Sequence, residues 1–256
     1  MREVTINIEL DSEVLVDVDG LTDDHYIAIT NKGNVVFPFY TIEIPQLFKF
    51  PIIRQLTDKS FLVADARTSD KLDNCFIYDI EGNVIGQFYA GDGIQDIEVH
   101  RSRIIITYFD EGVYGKDGPN NEGLVIFDFK GKALTKYNEK HGYQIISDCY
   151  CICSHGVNRV LFLPYTEFPL IELNLDTGDE KKFEIPEKLK GSNGLTSTAN
   201  SIIFHSPYED KRGIYKWKPG DKTAEKIGDY SEGLRGLKNG KFISTGQKGF
   251  TILDLN

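Results

Sequence analysis

The chain has 256 residues, 40% hydrophobic and 12% aromatic, which is enough apolar material for the core of one large domain. Its formal net charge is −10, from 29 basic and 39 acidic residues, and its densest basic segments, Lys181-Lys182 and Glu187-Lys188-Leu189-Lys190, are mixed with acids. Such a chain repels phosphate backbones, which argues against a nucleic-acid partner, and no stretch approaches the roughly eighteen apolar residues of a membrane span.

Taken in chain order, the predicted elements are nearly all strands. Residues 4–10 alternate with period two, have no partner nearby, and are not preceded by the apolar run of a secretory leader. Residues 14–49 predict one four-strand unit, with strands at 14–18, 25–30 and 35–39 and a loosely marked outer strand. The next unit runs over 53–88, with strands at 61–65, 74–80 and 84–88. A third covers 94–137, with 97–100 innermost and 103–109 beside it, and a fourth covers 145–185. After a polar linker at 186–193, a fifth spans about 195–227. The last, at 234–237, 241–245 and 250–255, has three strands before the chain ends. No helix is expected.

These units share a mark: an apolar strand that ends in a polar residue and a glycine turn. It stands at Phe76-Ile77-Tyr78-Asp79-Ile80-Glu81-Gly82, at Val125-Ile126-Phe127-Asp128-Phe129-Lys130-Gly131 and at Ile171-Glu172-Leu173-Asn174-Leu175-Asp176-Thr177-Gly178. A repeat of about forty residues in a strand-rich chain predicts a β-propeller. We expect an all-β, single-domain fold over 1–256 with six blades, five or seven also being compatible. The unpaired segment at 4–10 supplies the fourth strand of the last blade, which closes the ring and removes exposed edges.

Strand direction then sorts the loops. The turns at Gly82, Gly131 and Gly178 join the third and fourth strands and fall on one face. The irregular polar loops, which join second to third strands and one blade to the next, fall on the other. Long loops on a rigid scaffold collect function, and a concave mouth is the default ligand site. The candidate ligand-binding residues there are Arg67, Asp92, Asp96, Asp110, Glu111, Tyr114, Asp148, Tyr165, Glu167 and His205.

Each has two readings. The carboxylates could hold Ca²⁺ or another divalent cation, or act as acid and base, but Asp also caps turns and Glu is commonly solvated. Arg67 could grip a ligand carboxylate or phosphate, or bridge Asp65 or Asp70. Tyr114 and Tyr165 sit on loops, whereas Tyr108 and Tyr150 are read as packing between blades. His205 beside Ser206 suggests a nucleophile pair, but adjacent strand residues point oppositely. Cys149, Cys151, Cys153 and His155 alternate along one strand. Alternate residues lie about 6.5–7 Å apart, too far to wrap a zinc ion whose ligands sit at about 2.0–2.3 Å. They are read as buried core thiols, no metal ligand is assigned, and free thiols fit a reducing cytoplasm.

From Gly91 to about Leu173 the chain resembles a family of uncharacterised bacterial β-propeller-like proteins. The resemblance rests on Tyr108-Phe109-Asp110-Glu111-Gly112-Val113-Tyr114-Gly115, on Gly123-Leu124-Val125 with Phe127-Asp128, on Ile146-Ser147-Asp148-Cys149-Tyr150, and on Tyr165-Thr166-Glu167-Phe168-Pro169-Leu170-Ile171. This chain lacks the Trp that the family often carries before Gly123, and has Glu167 where Asp is common. The resemblance implies no reaction; it points to the loops of the units at 94–137 and 145–185. The expectation is a scaffold that binds a small molecule or a protein. The alternative is a carboxylate-based hydrolase or lyase, with or without a divalent cation.

Overall fold

Runs of β-branched and aromatic residues, cut every few positions by Gly, Asn and Asp, leave this chain little choice but strands. The computed structural model describes residues 1–142 and 146–256. β1 (Arg2–Asn7) comes first. Five antiparallel four-stranded meanders follow in chain order. Blade 1 is β2 (Leu15–Thr22), β3 (His25–Thr30), β4 (Asn34–Val36) and β5 (Thr41–Glu43). Blade 2 is β6 (Pro51–Thr57), β7 (Ser60–Asp65), β8 (Cys75–Asp79) and β9 (Val84–Phe88). Blade 3 is β10 (Ile94–His100), β11 (Arg103–Tyr108), β12 (Leu124–Asp128) and β13 (Ala133–Lys136). Blade 4 is β14 (Asp148–His155), β15 (Arg159–Tyr165), β16 (Leu170–Asn174) and β17 (Glu180–Phe183). Blade 5 is β18 (Gly194–Ser197), β19 (Ile202–His205), β20 (Gly213–Trp217) and β21 (Glu225–Asp229).

The sixth sheet joins the two ends of the chain. β22 (Arg235–Gly236), β23 (Lys241–Gly246) and β24 (Gly249–Asp254) pair in order, and β1 adds itself beyond β24. Six four-stranded meanders, the last completed by the first strand, are the arrangement of a six-bladed β-propeller. The blade count is six rather than five or seven. The expectation of no helix needs a small correction: α1 (Asp110–Val113) and α2 (Tyr137–His141) are single turns in connections, and Glu187–Leu189 makes a 3₁₀ turn within the predicted linker.

The internal contacts divide the chain into two compact units. The first, Thr5–Ile145 with Thr245–Thr251, contains blades 1 to 3. Strand β7 shows why its four central residues, 61–64, are all apolar. Phe61 and Val63 join a core with Ile27, Ile29 and Tyr78, while Leu62 and Ala64 join another with Ile97, Ile104 and Tyr108. Alternate side chains leave opposite faces of a strand, so a blade packed on both sides needs apolar residues at every position.

Innermost strands β2, β6 and β10 lie side by side, and Arg54 of β6 ties them together. Its buried guanidinium donates to Asp17 Oδ2 at 2.6 Å, to Asp96 Oδ1 at 2.7 Å and to the Ile97 carbonyl at 2.7 Å. Burial works against its charge, but Asp17, Asp96 and Asp19 outweigh it and hold the guanidinium more firmly protonated than usual. The chain end is also pinned here. Ile8 N–H donates to the Lys248 carbonyl at 2.9 Å, and Lys248 Nζ donates to the carbonyls of Leu10, Asp11 and Glu13 at 2.7, 3.1 and 2.8 Å.

The second unit, Met1–Val4 with Ile146–Ser244 and Ile252–Asn256, contains blades 4 and 5. β14 lies beside β18, and β18 beside β22. β19 repeats the two-sided pattern: Ile202 and Phe204 pack with Leu161, Leu195 and Trp217, and Ile203 packs with Leu234 and Phe242.

Candidate functional site

In the first unit, strand direction brings the predicted loops together. Arg67 leaves β7, Asp92 precedes β10, and Asp110, Glu111 and Tyr114 follow β11. Arg67 forks onto Asp92, Nε to Oδ1 at 3.0 Å and Nη2 to Oδ2 at 3.3 Å, and its guanidinium lies 5.3 Å over the Phe109 ring. The partner is therefore Asp92, not the expected Asp65 or Asp70. Asp65 is occupied in capping the backbone N–H groups of Lys49 and Phe50 at 2.8 and 3.0 Å. Bonding to Asp92 holds Arg67 above its ordinary pKa.

Asp92 also accepts from Thr68 N–H at 2.7 Å, and Asp96 belongs to the Arg54 bridge. Both carboxylates are thus committed within the fold. Buried Asn120 clamps the loops, donating to the carbonyls of Gly112 and Lys116 at 2.6 and 3.0 Å while its Oδ1 accepts from Asp92 N–H at 3.4 Å. Gly93 and Gly112 approach so closely that a Cβ on either would meet the other's backbone. Asp110, the first residue of α1, accepts from Glu111 N–H at 2.8 Å. Glu111 and Tyr114 stand in solvent, Tyr114 being 71% exposed.

In the second unit, Asp148 opens β14 and pairs across the ladder with Tyr165, the last residue of β15. Between them sits an irregularity. Cys149 faces Pro164, but Cys151 faces Leu163, so Tyr150 is an extra residue, a β-bulge. Pro164 has no N–H for the ladder, which makes this a natural place for pairing to slip. A bulge re-aims a side chain, and here Tyr150 turns into a cluster with Tyr165, Phe168 and Tyr208. The same slip breaks the even alternation expected from Cys149 to His155.

Phe168 is the floor of that cluster. It is 5% exposed, and its ring meets Tyr150, Tyr165 and Tyr208 edge-on at 5.2, 5.4 and 5.5 Å between centroids. Tyr150 and Tyr165 are nearly parallel, 10° apart, with centroids separated by 6.4 Å. Were Phe168 between them, that separation would approach the sum of the two shorter distances. It therefore lies to one side of the pair, and the four rings pack against one another as a shallow aromatic cup. Tyr165 and Tyr208 form the open side, 42% and 46% exposed.

The Tyr150 and Tyr208 phenols hydrogen-bond to each other across the rim. Burial, then that bond, pushes the Tyr150 phenol well above its ordinary pKa, so the ring stays neutral. Phe168 takes φ +54, a left-handed conformation that is strained for a bulky residue, and such strain collects at functional sites. Asp148 acts electrostatically on Tyr150, and exposed Glu167 precedes Phe168. Glu167 and Phe168 also border a cleft of about 1050 Å³, lined in addition by Lys182, Phe183, Lys190 and Lys222.

His205 stands apart from this cup. It is 1% exposed, its Nε2 lies 3.2 Å from the Tyr230 carbonyl, its Nδ1 is unpartnered, and burial lowers its pKa. A second histidine, His155, was weighed in the sequence only beside the cysteines, and its partners were not foreseen. His155 Nδ1 lies 2.9 Å from Ser197 Oγ, and its Nε2 is 3.5 Å from Glu172 Oε2. The order resembles a hydrolase triad, but Ser197 is buried and its hydroxyl also reaches the Ser154 carbonyl at 3.4 Å, so the group reads as a packed polar network. Serine at 197 and histidine at 155 belong to different blades, and no spacing announces the pair. All four cysteines are buried thiols, and none is in a disulfide. Among the described residues, no three His, Cys, Asp or Glu side chains are grouped as a metal site would require.

No protein-family model and no curated protein matches this chain. Solved structures do. Streptogramin B lyase superposes with a TM-score of 0.60 at 10% identity, over 100% of this chain and 98% of that one. The fold is a β-propeller. Virginiamycin B lyase from Staphylococcus aureus gives 0.56 at 11% identity, covering 100% and 99%. The WD40 propeller domain of Doa1 gives 0.55 at 9%, covering 99% and 97%. At such identities the likeness is one of backbone architecture, shared by lyases and a WD40 domain alike.

Proposed function

We propose that this chain is a single-domain binding propeller that recognises a small molecule or a protein segment through its loops, without a covalent step. The observation that carries the reading is the aromatic cup of Tyr150, Tyr165, Phe168 and Tyr208. Solvent-facing aromatic rings over a buried floor present apolar area with polar tips, the make-up of recognition surfaces. The strained backbone of Phe168 and the bulge at Tyr150 both serve to aim those rings. Asp148, Tyr165 and Glu167 are the sequence candidates that lie at the cup; Glu111 and Tyr114 offer a second exposed group in the first unit.

The hydrolase or lyase alternative loses two of its carboxylates. Asp92 and Asp96 already serve as partners of Arg67 and Arg54 within the fold. We place the protein in a reducing compartment, the cytoplasm, because its four cysteines are buried thiols rather than disulfides. No helix is long and apolar enough to cross a membrane.

The test is a ligand-observed NMR screen of a diverse fragment set against the wild type and a Tyr165→Ala/Tyr208→Ala variant. We expect aromatic-seeking fragments to bind the wild type and to be lost in the variant, with its melting temperature kept. Fragments that bind both proteins equally would place recognition elsewhere.

A further inference from the structure

The cleft that borders Glu167 and Phe168 runs away from the tyrosine cup between two fixed walls. One wall is β17 and the chain after it, from Lys182 to Glu187; the other is the turn Gly220-Asp221-Lys222 between β20 and β21. Trp217 of β20, buried at 1% exposure, ties the walls together. Its Nε1 donates to the Asp221 carbonyl at 2.8 Å, and its ring meets Phe183 of β17 edge-on at 6.4 Å. Asp221 N–H donates to the Lys218 carbonyl at 3.0 Å and closes the turn. The cleft is thus built in advance of any guest. Its volume of about 1050 Å³ lies at the top of the range for small-molecule sites, about 300–1,000 Å³.

The lining narrows the guest. Lys182, Lys190 and Lys222 only donate hydrogen bonds, whereas the carboxylates of Glu167, Glu184, Glu187 and Asp221 only accept them. Lys190 and Glu187 already pair at 2.8 Å. An anion would meet the carboxylates and a cation the lysines, so neither sign of charge is selected. Phe168, Phe183 and Ile185 add apolar surface. A purely apolar guest would strip water from both kinds of ion and replace none of their hydrogen bonds. A hydroxyl both donates and accepts, so a neutral, hydroxyl-rich guest with C–H faces matches the whole lining. A β-1,4-linked sugar chain has that make-up, because its equatorial substituents leave both faces of each ring as C–H. The volume exceeds what one sugar ring fills. We infer that the cleft between β17 and the β20–β21 turn binds a neutral β-1,4-linked oligosaccharide. This site shares Glu167 and Phe168 with the cup but does not depend on the cup's exposed tyrosines.

The experiment titrates the full chain, by calorimetry, with two neutral chains, cellopentaose and N-acetylchitopentaose, and with their monosaccharides. Cationic chitopentaose and anionic pentagalacturonate serve as charged comparators. An Asp221→Ala/Lys222→Ala variant is titrated beside the wild type. Both residues are exposed, and Trp217 bonds the backbone of Asp221 rather than its side chain, so the melting temperature should be kept. The better-bound neutral chain should bind at least tenfold tighter than its monosaccharide and than either charged chain. Asp221→Ala/Lys222→Ala should weaken it at least fivefold, and Tyr165→Ala/Tyr208→Ala should leave it within twofold. Failure of both neutral chains to bind overturns the inference, as does equal binding of a charged chain or unchanged affinity in Asp221→Ala/Lys222→Ala. Loss of sugar binding in Tyr165→Ala/Tyr208→Ala would move the guest to the cup and overturn this site. Failure of the cup's own role would show instead in the fragment screen, and would leave the cleft's sugar binding intact.

Discussion

At the residue scale, the molecule turns on two arginines, of which sequence reasoning singled out only one. Arg67 was legible because it stands in a polar loop; its partner was not, because Asp92 is distant in sequence and becomes near only when β7 and β10 belong to adjacent blades. Arg54 was missed because it sits mid-strand among apolar residues, where a long side chain reads as a solvated one. Its burial between Asp17 and Asp96 makes it the more consequential of the two. Arg54→Ala leaves two carboxylates facing each other without a counter-charge. We expect a loss of about 3–5 kcal/mol in denaturant unfolding. Exposed Arg67→Ala should cost about 1 kcal/mol or less.

Acid sensitivity belongs to the same scale. Burial lowers the pKa of His205 and His155 in the folded state below their value in the unfolded chain, about 6.5. Between the two values the unfolded chain binds more protons, so stability is full above the unfolded pKa and falls as pH drops through the folded one. The melting temperature should therefore decline from pH 7.5 to pH 5, and His205→Gln should flatten that decline. A slope unchanged in His205→Gln would remove this histidine from the account.

At the element scale, the strands were legible almost wherever the glycine turn recurred, since apolar runs and turn chemistry agree there. The turns at Gly82, Gly131 and Gly178 all take positive φ. Asp79 and Asp128 stabilise two of them by accepting backbone N–H bonds; the Asn83 side-chain amide and then those bonds lower the pKa of Asp79, and the backbone bonds from Lys132 and Lys130 lower that of Asp128. What sequence could not show is register. β2, β10 and β14 each slip by one residue near their start, at Val16, Gln95 and Tyr150. The slip at Tyr150 converts a residue read as blade packing into a wall of the cup, and brings Phe168, unmarked on its loop, into view as the floor. A glycine pair tests the turns. A Cβ at Gly131 would land on the Phe88 ring, whereas one at Gly220 meets nothing, though both residues have positive φ. Gly220→Ala should cost about 1–2 kcal/mol in backbone strain alone. Gly131→Ala should add about 1–3 kcal/mol of overpacking, measured by denaturant unfolding.

At the scale of the whole molecule, the six-blade architecture was readable because the repeat leaves one blade a strand short and one N-terminal strand without a partner. The structure joins them: β1 pairs with β24, and a Cβ at Gly249 would fall on the Ile6 carbonyl, so only glycine permits the approach. That closure is the central claim, because it makes the ends of the chain part of one fold. Thr5 Oγ1 and Thr251 Oγ1 lie 3.1 Å apart across the joint, 246 positions apart in sequence, and the four native thiols are buried. The direct measurement is oxidation of a Thr5→Cys/Thr251→Cys variant, followed by thiol titration and denaturant unfolding. The account predicts one disulfide, formed without denaturant, and a gain of about 2–4 kcal/mol over the reduced form. Two introduced thiols that stay free and titratable after oxidation would contradict it.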